Sequence, residues 1–166
     1  MEDYCTLLEA GRLRAERTED WPGAMDAFTR AWESRPQRLE AVYELASRLR
    51  LRLRLRLKGR HRTAYAFLAD VVGRPEPDDL LFTRSWVYRW GLLFEFSIAA
   101  HWVGDLAGVL RACDRLLAMP DLPETIRRQT EINREFSARR TVGLPSPSAP
   151  GRRPKAGRGV KPGRRK

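Results

Sequence analysis

Ala24-Met25-Asp26-Ala27-Phe28-Thr29-Arg30-Ala31-Trp32-Glu33-Ser34-Arg35-Pro36 is the stretch on which the fold of this chain turns. Its spacing is small Ala24, large Phe28 four residues on, small Ala31 three further, and then Pro36, so the three side chains share one face of a helix. Small residues let a second helix approach closely, and the phenyl ring fills the gap beside them. Proline cannot be hydrogen-bonded into a helix interior, so the helix ends before Pro36. Taken alone, the segment also fits an ordinary amphipathic helix that stops at a proline. Recurrence separates the two readings.

The same order returns as Ala64-x3-Leu68-x2-Val71 and as Val109-x3-Cys113-x2-Leu116, led by Gly59 and Gly104. It resembles the second helix of the tetratricopeptide repeat (TPR), whose period is about 34 residues. Ala64 lies 40 residues after Ala24, and the excess of six equals three copies of the Leu-Arg dipeptide in the run Arg48 to Leu57. Val109 lies 45 residues after Ala64, and the excess of eleven equals the stretch Arg74 to Arg84. Pro75, Pro77 and Asp78-Asp79 make that stretch a loop. The expected fold is all-α: a TPR-like stack of about three antiparallel helix hairpins, an α-solenoid, plus a closing helix.

Hydrophobic spacing supports this independently. Leu39, Val42, Tyr43, Ala46 and Leu49 follow one helical face, with Pro36 expected in that helix's first turn. From Val87 to Val103 only Arg89, Glu95, Ser97 and His101 are strongly polar, which predicts a helix buried on most sides at the core of the stack. A membrane span needs about 20 apolar residues with few or no charges, and this stretch is shorter and charged. The Leu-Arg run alternates like a strand, yet both residues favour helices and its flanks are helical in pattern. We read it as an overlong helix protruding from the stack, with a basic membrane-surface segment as the alternative.

Charge divides the chain. All 21 acidic residues lie at or before Glu135, whereas Arg139 to Lys166 holds ten Lys or Arg and no acid, so the +11 of the whole chain leaves +1 for the rest. The division places a helical-repeat domain at 1–138 and a basic tail at 139–166. From Gly143 the tail is rich in Gly, Pro and Ser and is expected to be disordered, because it has too little apolar surface to offset ordering entropy. Its Arg152, Arg153, Lys155, Arg158, Lys161, Arg164, Arg165 and Lys166 suit sequence-independent contact with nucleic-acid phosphates or another anionic surface. No aromatic residue interleaves them to add base stacking. Met1-Glu2-Asp3-Tyr4 is acidic and lacks the apolar stretch of a secretory signal, so the expected compartment is the cytoplasm.

Catalytic constellations are sparse. Cys5, Cys113, His61 and His101 are too scattered for the close ligand spacings of a zinc site, and no metal or cofactor is expected. Cys113 reads as a small core thiol and His101, beside Trp102, as a packed, hydrogen-bonded histidine. Glu76 and Asp78-Asp79 read as solvated loop and helix-cap groups rather than an acid/base pair.

With these residues set out, the chain resembles the helical-repeat region at the C-terminal side of bacterial glycosyltransferases of the family 2 type. The blocks that carry the resemblance are Trp32 to Glu40 with Tyr43-Glu44-Leu45-Ala46, then Leu81-Phe82 and Val87-Tyr88, Leu92-Leu93-Phe94-Glu95 with Ser97 to Ala100, Cys113 to Leu117, and Asn133 to Phe136. They span roughly Leu7 to Phe136. In such proteins the sugar-transferring domain is a separate α/β unit, and neither βαβ alternation nor an Asp-x-Asp motif occurs here. The resemblance therefore implies a non-enzymatic docking module, associated with a glycosyltransferase catalytic subunit, or a detached part of such an enzyme.

Stacked repeats present a concave surface to a peptide or another protein. Arg38, Tyr43, Arg89, Trp90 and Glu95, expected as exposed or half-exposed groups near helix starts, are the candidate partner-binding residues. Tyr43 and Trp90 also read as core.

Overall fold

The structure, a computed structural model, describes residues 3–18, 20–51, 60–78 and 83–141. Among these there are seven α-helices and no strand: α1 (Tyr4–Leu13), α2 (Trp21–Ser34), α3 (Glu40–Leu51), α4 (His61–Val71), α5 (Leu92–Val103), α6 (Leu106–Leu117) and α7 (Glu124–Thr141). A wide π-helical turn follows α1 at Arg14–Thr18, and another at Val87–Gly91 runs straight into α5. No helix among the described residues is long and apolar enough to cross a membrane.

Two helix starts share one device. Asp20 caps α2 by accepting from the Gly23 N–H at 3.0 Å, and Asp105 caps α6 by accepting from the Gly108 N–H at 2.8 Å. A Cβ at either glycine would sit 2.1 Å from the capping carboxylate, so Asp-x-x-Gly is one unit. The two units stand in the same register, each immediately before the small residue of its pattern, Ala24 or Val109. Helix α4 lacks this cap.

All nine pattern positions, Ala24, Phe28, Ala31, Ala64, Leu68, Val71, Val109, Cys113 and Leu116, are at most 1 % exposed. Each helix packs on the next in sequence, and α1 on α3, α3 on α5 and α5 on α7 as well. Helix α3 is buried on two sides: Ala41 and Leu45 join the core with α1 and α2, while Val42, Ala46 and Leu49 join the core with α4 and α5. Gly11 of α1 exists for Phe28, whose ring would lie 2.6 Å from an added Cβ. Helix α5 is buried on most sides, as its composition predicts.

Two expectations are corrected, and two others fall partly outside the described residues. Pro36 lies in a turn ahead of α3, not in its first turn, because the helix starts only at Glu40. There the Pro36 carbonyl accepts from Trp32 Nε1 at 3.3 Å and the Leu39 N–H donates to Tyr88 Oη at 2.9 Å. The boundary drawn after residue 138 falls inside α7, which continues through Arg139 and Arg140 to Thr141. The protruding helix expected from the Leu-Arg run is described only to Leu51. Its remainder lies outside the described residues, but the Arg60 N–H is back at the end of α3, donating to the Leu49 carbonyl at 3.3 Å. The loop expected over Arg74 to Arg84 is free of helix at Arg74–Asp78, and 79–82 lie outside the described residues.

Candidate partner-binding surface

Glu40, 1 % exposed at the first turn of α3, ties α1, α3 and the approach to α5 together. It accepts from Tyr4 Oη at 3.1 Å, Tyr88 Oη at 3.0 Å, Arg38 Nη2 at 3.0 Å and the Arg84 N–H at 3.3 Å. Burial by itself would raise the Glu40 pKa, but hydrogen bonds from Arg38 and from backbone N–H groups, with the Arg38 charge, hold it below its ordinary value. Burial, with the Glu40 charge behind it, pushes the Tyr4 hydroxyl far up, so it stays a donor. Arg38 also lies over the Tyr4 ring, 4.5 Å from its centroid.

One turn further along α3 stands Glu44, which accepts from Arg12 Nε at 2.7 Å and from Arg48 Nε at 3.2 Å. Arg12 Nη2 lies 2.6 Å from the same Glu44 oxygen, with the Nε alone aligned as a hydrogen bond, and Arg12 Nη1 holds Glu9. Beside these pairs opens a groove of about 440 Å³ lined by Cys5, Leu8, Glu9 and Arg12 of α1, by Arg38, and by Thr83 and Arg84.

The candidate residues separate into two groups. Tyr43 and Trp90 are half-buried and joined through Trp86: the Tyr43 ring meets Trp86 edge-on at 4.9 Å, and Trp90 lies 5.0 Å from Trp86 in a tilted arrangement. Burial, followed by the Glu95 charge, pushes the Tyr43 hydroxyl up to about 12. Arg89 is exposed and paired with Asp121. Arg38 and Glu95, by contrast, are buried, which corrects their expected exposure. Arg38 is held by Glu40, and Glu95 accepts from Arg50 Nε at 2.7 Å and Nη2 at 3.0 Å, so each is an internal ion-pair member rather than a surface group.

A second groove, of about 240 Å³, lies between α5 and α7 and is lined by Ser97, Ile98, His101, Trp102, Ile132, Asn133 and Phe136. Trp102 and Ile132 are 58 % and 59 % exposed. His61 stacks on Trp102 at 4.8 Å. His101 Nε2 lies 3.4 Å from Arg140 Nη1, which can only donate, so Nδ1 carries the ring proton and donates to Ser137 Oγ at 2.9 Å. Burial first, and Arg140 second, lower the His101 pKa. Cys113 is buried, and burial pushes its thiol up to about 11. Glu76 accepts from Ser85 Oγ at 2.6 Å.

Among the described residues no three His, Cys, Asp or Glu side chains gather as a metal ion requires. The tail cations Arg152 to Lys166 lie outside the described residues. Sequence reading missed Arg12, Arg84, Trp86, Trp102, Ile132 and Phe136. Arg12 did leave a signal, since it falls on the same helical face as Tyr4, Leu8 and Gly11, and a lone cation on an apolar face implies a buried acid. Compared with protein-family models, curated proteins and solved structures, the chain matches none of them.

Proposed function

We propose that this chain is a non-catalytic protein-interaction module of TPR type, in which α1/α2, α3/α4 and α5/α6 form three hairpins closed by α7. The reading is supported by the buried small-large-small triplets on α2, α4 and α6 and by the Asp-x-x-Gly caps that share their register. The observation that carries it concerns the surface. Both grooves are lined only by α1, α5, α7 and the segments leading into α3 and α5, with no residue from α2, α4 or α6. The Tyr43–Trp86–Trp90 array lies on α3 and the segment leading into α5, again with no residue from α2, α4 or α6. Stacked hairpins present a concave surface to a ligand, and that surface is assigned here to the first helices with α7, so a peptide or another protein is the proposed occupant. That this partner is a glycosyltransferase catalytic subunit rests on the quoted sequence blocks alone.

Affinity capture from host lysate tests the module. The full chain, a chain ending at Thr141, and the full chain carrying Arg89→Glu with Trp90→Ala are compared at low and moderate salt. A discrete protein captured by the first two and lost with the double variant supports the reading. Capture of nucleic acid by the full chain alone, lost as salt rises, moves the function to the tail.

A further inference from the structure

We propose that the groove between α1 and Thr83–Arg84 receives a side-chain carboxylate from an acidic partner segment, and that Glu9 is the resident carboxylate this ligand displaces. The inference rests on the interaction-module reading and names the chemistry of its partner.

Three guanidinium groups line the groove, and two of them are fixed before any ligand arrives. Arg12 is 8 % exposed and braced by Glu44, and Arg38 is 3 % exposed, braced by Glu40 and the Tyr4 ring. Arg84 differs. Its side chain is 41 % exposed and comes no nearer than 3.7 Å to Glu44 and 4.0 Å to Glu9. Charge-assisted hydrogen bonds run at about 2.7–2.9 Å, so among the described residues the Arg84 guanidinium holds no such bond and its donors face the groove unused.

Glu9 is the one carboxylate of the cluster that can leave. Its side chain is 60 % exposed and hangs from Arg12 Nη1, whereas Glu40 and Glu44 are buried. When Glu9 swings into water, Arg12 Nη1 loses its carboxylate and the groove loses one negative charge. An incoming glutamate or aspartate replaces that charge one for one. A phosphate group, carrying about −1.5 to −2 at pH 7, would overshoot it. Leu8 and the Cys5 side chain give the ligand's methylenes an apolar wall, and the volume lies within the range of about 300–1,000 Å³ typical of ligand pockets.

The test uses the full chain labelled with ¹⁵N and follows the arginine Nε–Hε resonances while a hexaglutamate peptide is added, with inorganic phosphate as competitor. Site-resolved signals separate the groove from the basic tail, which attracts the same peptide. Arg84 and Arg12 are expected to shift and saturate together. Glu9→Gln, which removes the resident charge, tightens binding at these signals by about tenfold, and Arg84→Gln weakens it by at least as much. Arg84→Gln keeps the backbone N–H that bonds Glu40, so the fold is preserved. Shifts confined to other arginines, or indifference to both substitutions, overturn the groove assignment. Phosphate saturating the same signals at lower concentration overturns the choice of carboxylate. If the groove behaves as expected while lysate capture yields no partner, the module reading fails and the carboxylate site stands. If a partner is captured unchanged by Arg84→Gln, the groove assignment fails and the module stands.

Discussion

Arg50 of α3 grips Glu95 of α5, forty-five residues away, through two hydrogen bonds of 2.7 and 3.0 Å. An arginine that the sequence presents as one unit of a Leu-Arg run is thus the partner of a carboxylate only 3 % exposed. Removing one member of a buried pair leaves the other without compensation and costs about 3–5 kcal/mol. Arg50→Ala is expected near the lower end, since Arg50 keeps some contact with water, and Glu95→Ala with Arg50→Ala should cost less than the two singles summed. Denaturant midpoints for the two singles and the double measure the coupling; simple additivity would count against the pair.

The rest of the Leu-Arg run is expected to be dispensable. Because the Arg60 N–H bonds the Leu49 carbonyl, joining Leu51 directly to Arg60 turns that contact into an i→i−3 bond of the kind that tightens a helix end. A chain lacking residues 52–59 should keep its denaturation midpoint within about 1 kcal/mol of the parent, since loop-closure costs change slowly with length. Loss of several kcal/mol in that variant means the excised residues are structural.

Acid should unfold the protein through Glu40. Its folded-state pKa lies below the ordinary 4.5, so the unfolded chain binds the proton more readily. The stability Glu40 contributes is present above pH 4.5 and lost as pH falls through its lower folded value. Glu40→Gln should lower stability at pH 7 by about 3 kcal/mol, as for other broken buried pairs, and should flatten the decline below pH 4.5. Unfolding curves of parent and variant from pH 7 to pH 3 decide it; parallel declines refute the assignment.

His101 sets a second, milder window. Burial and Arg140 lower its pKa below 6.5, so the unfolded chain again takes up the proton first. Its contribution is complete above pH 6.5 and drains as pH drops through 6.5 toward the folded value. His61, lowered by burial and then by Arg50, acts in the same direction. Ring-proton titration by NMR should place both midpoints under 6.5 in the folded chain, and His101→Gln should remove one of the two steps.

Two glycines separate backbone from packing costs. Gly104 has φ +90° in the turn from α5 to α6 with nothing within 4 Å of an added Cβ, so Gly104→Ala should cost about 1–2 kcal/mol of left-handed strain alone. Gly11→Ala drives a methyl into Phe28 and should cost about 1–3 kcal/mol as overpacking. Adding Phe28→Leu should recover part of the second loss and none of the first. Thermal midpoints of the four variants check this.

The helices were legible because their information is local. The triplets led by Ala24, Ala64 and Val109 mark α2, α4 and α6, and each position proved buried, since a helix can hide only one face and the spacing declares which. The Asp-x-x-Gly caps were equally local, and their shared register was there to be read beside the triplets. Of the five candidate partner-binding residues, Tyr43, Arg89 and Trp90 are accessible at least in part.

Which charges meet was decided only by the tertiary structure. Sequence alone assigned Arg38 and Glu95 to the surface as polar groups near helix starts, and charged side chains are expensive to bury without partners. Their partners, Glu40 and Arg50, are set by how α3 lies against α5 and how the chain enters α3, and periodicity says nothing of either. The groove of Arg12, Arg38 and Arg84 is the same case: three residues spread over α1 and two connecting segments become one site because Glu40 and Glu44 draw those segments together. Helix faces follow from the period of a single segment, whereas charge pairing follows from the approach of segments far apart in the chain.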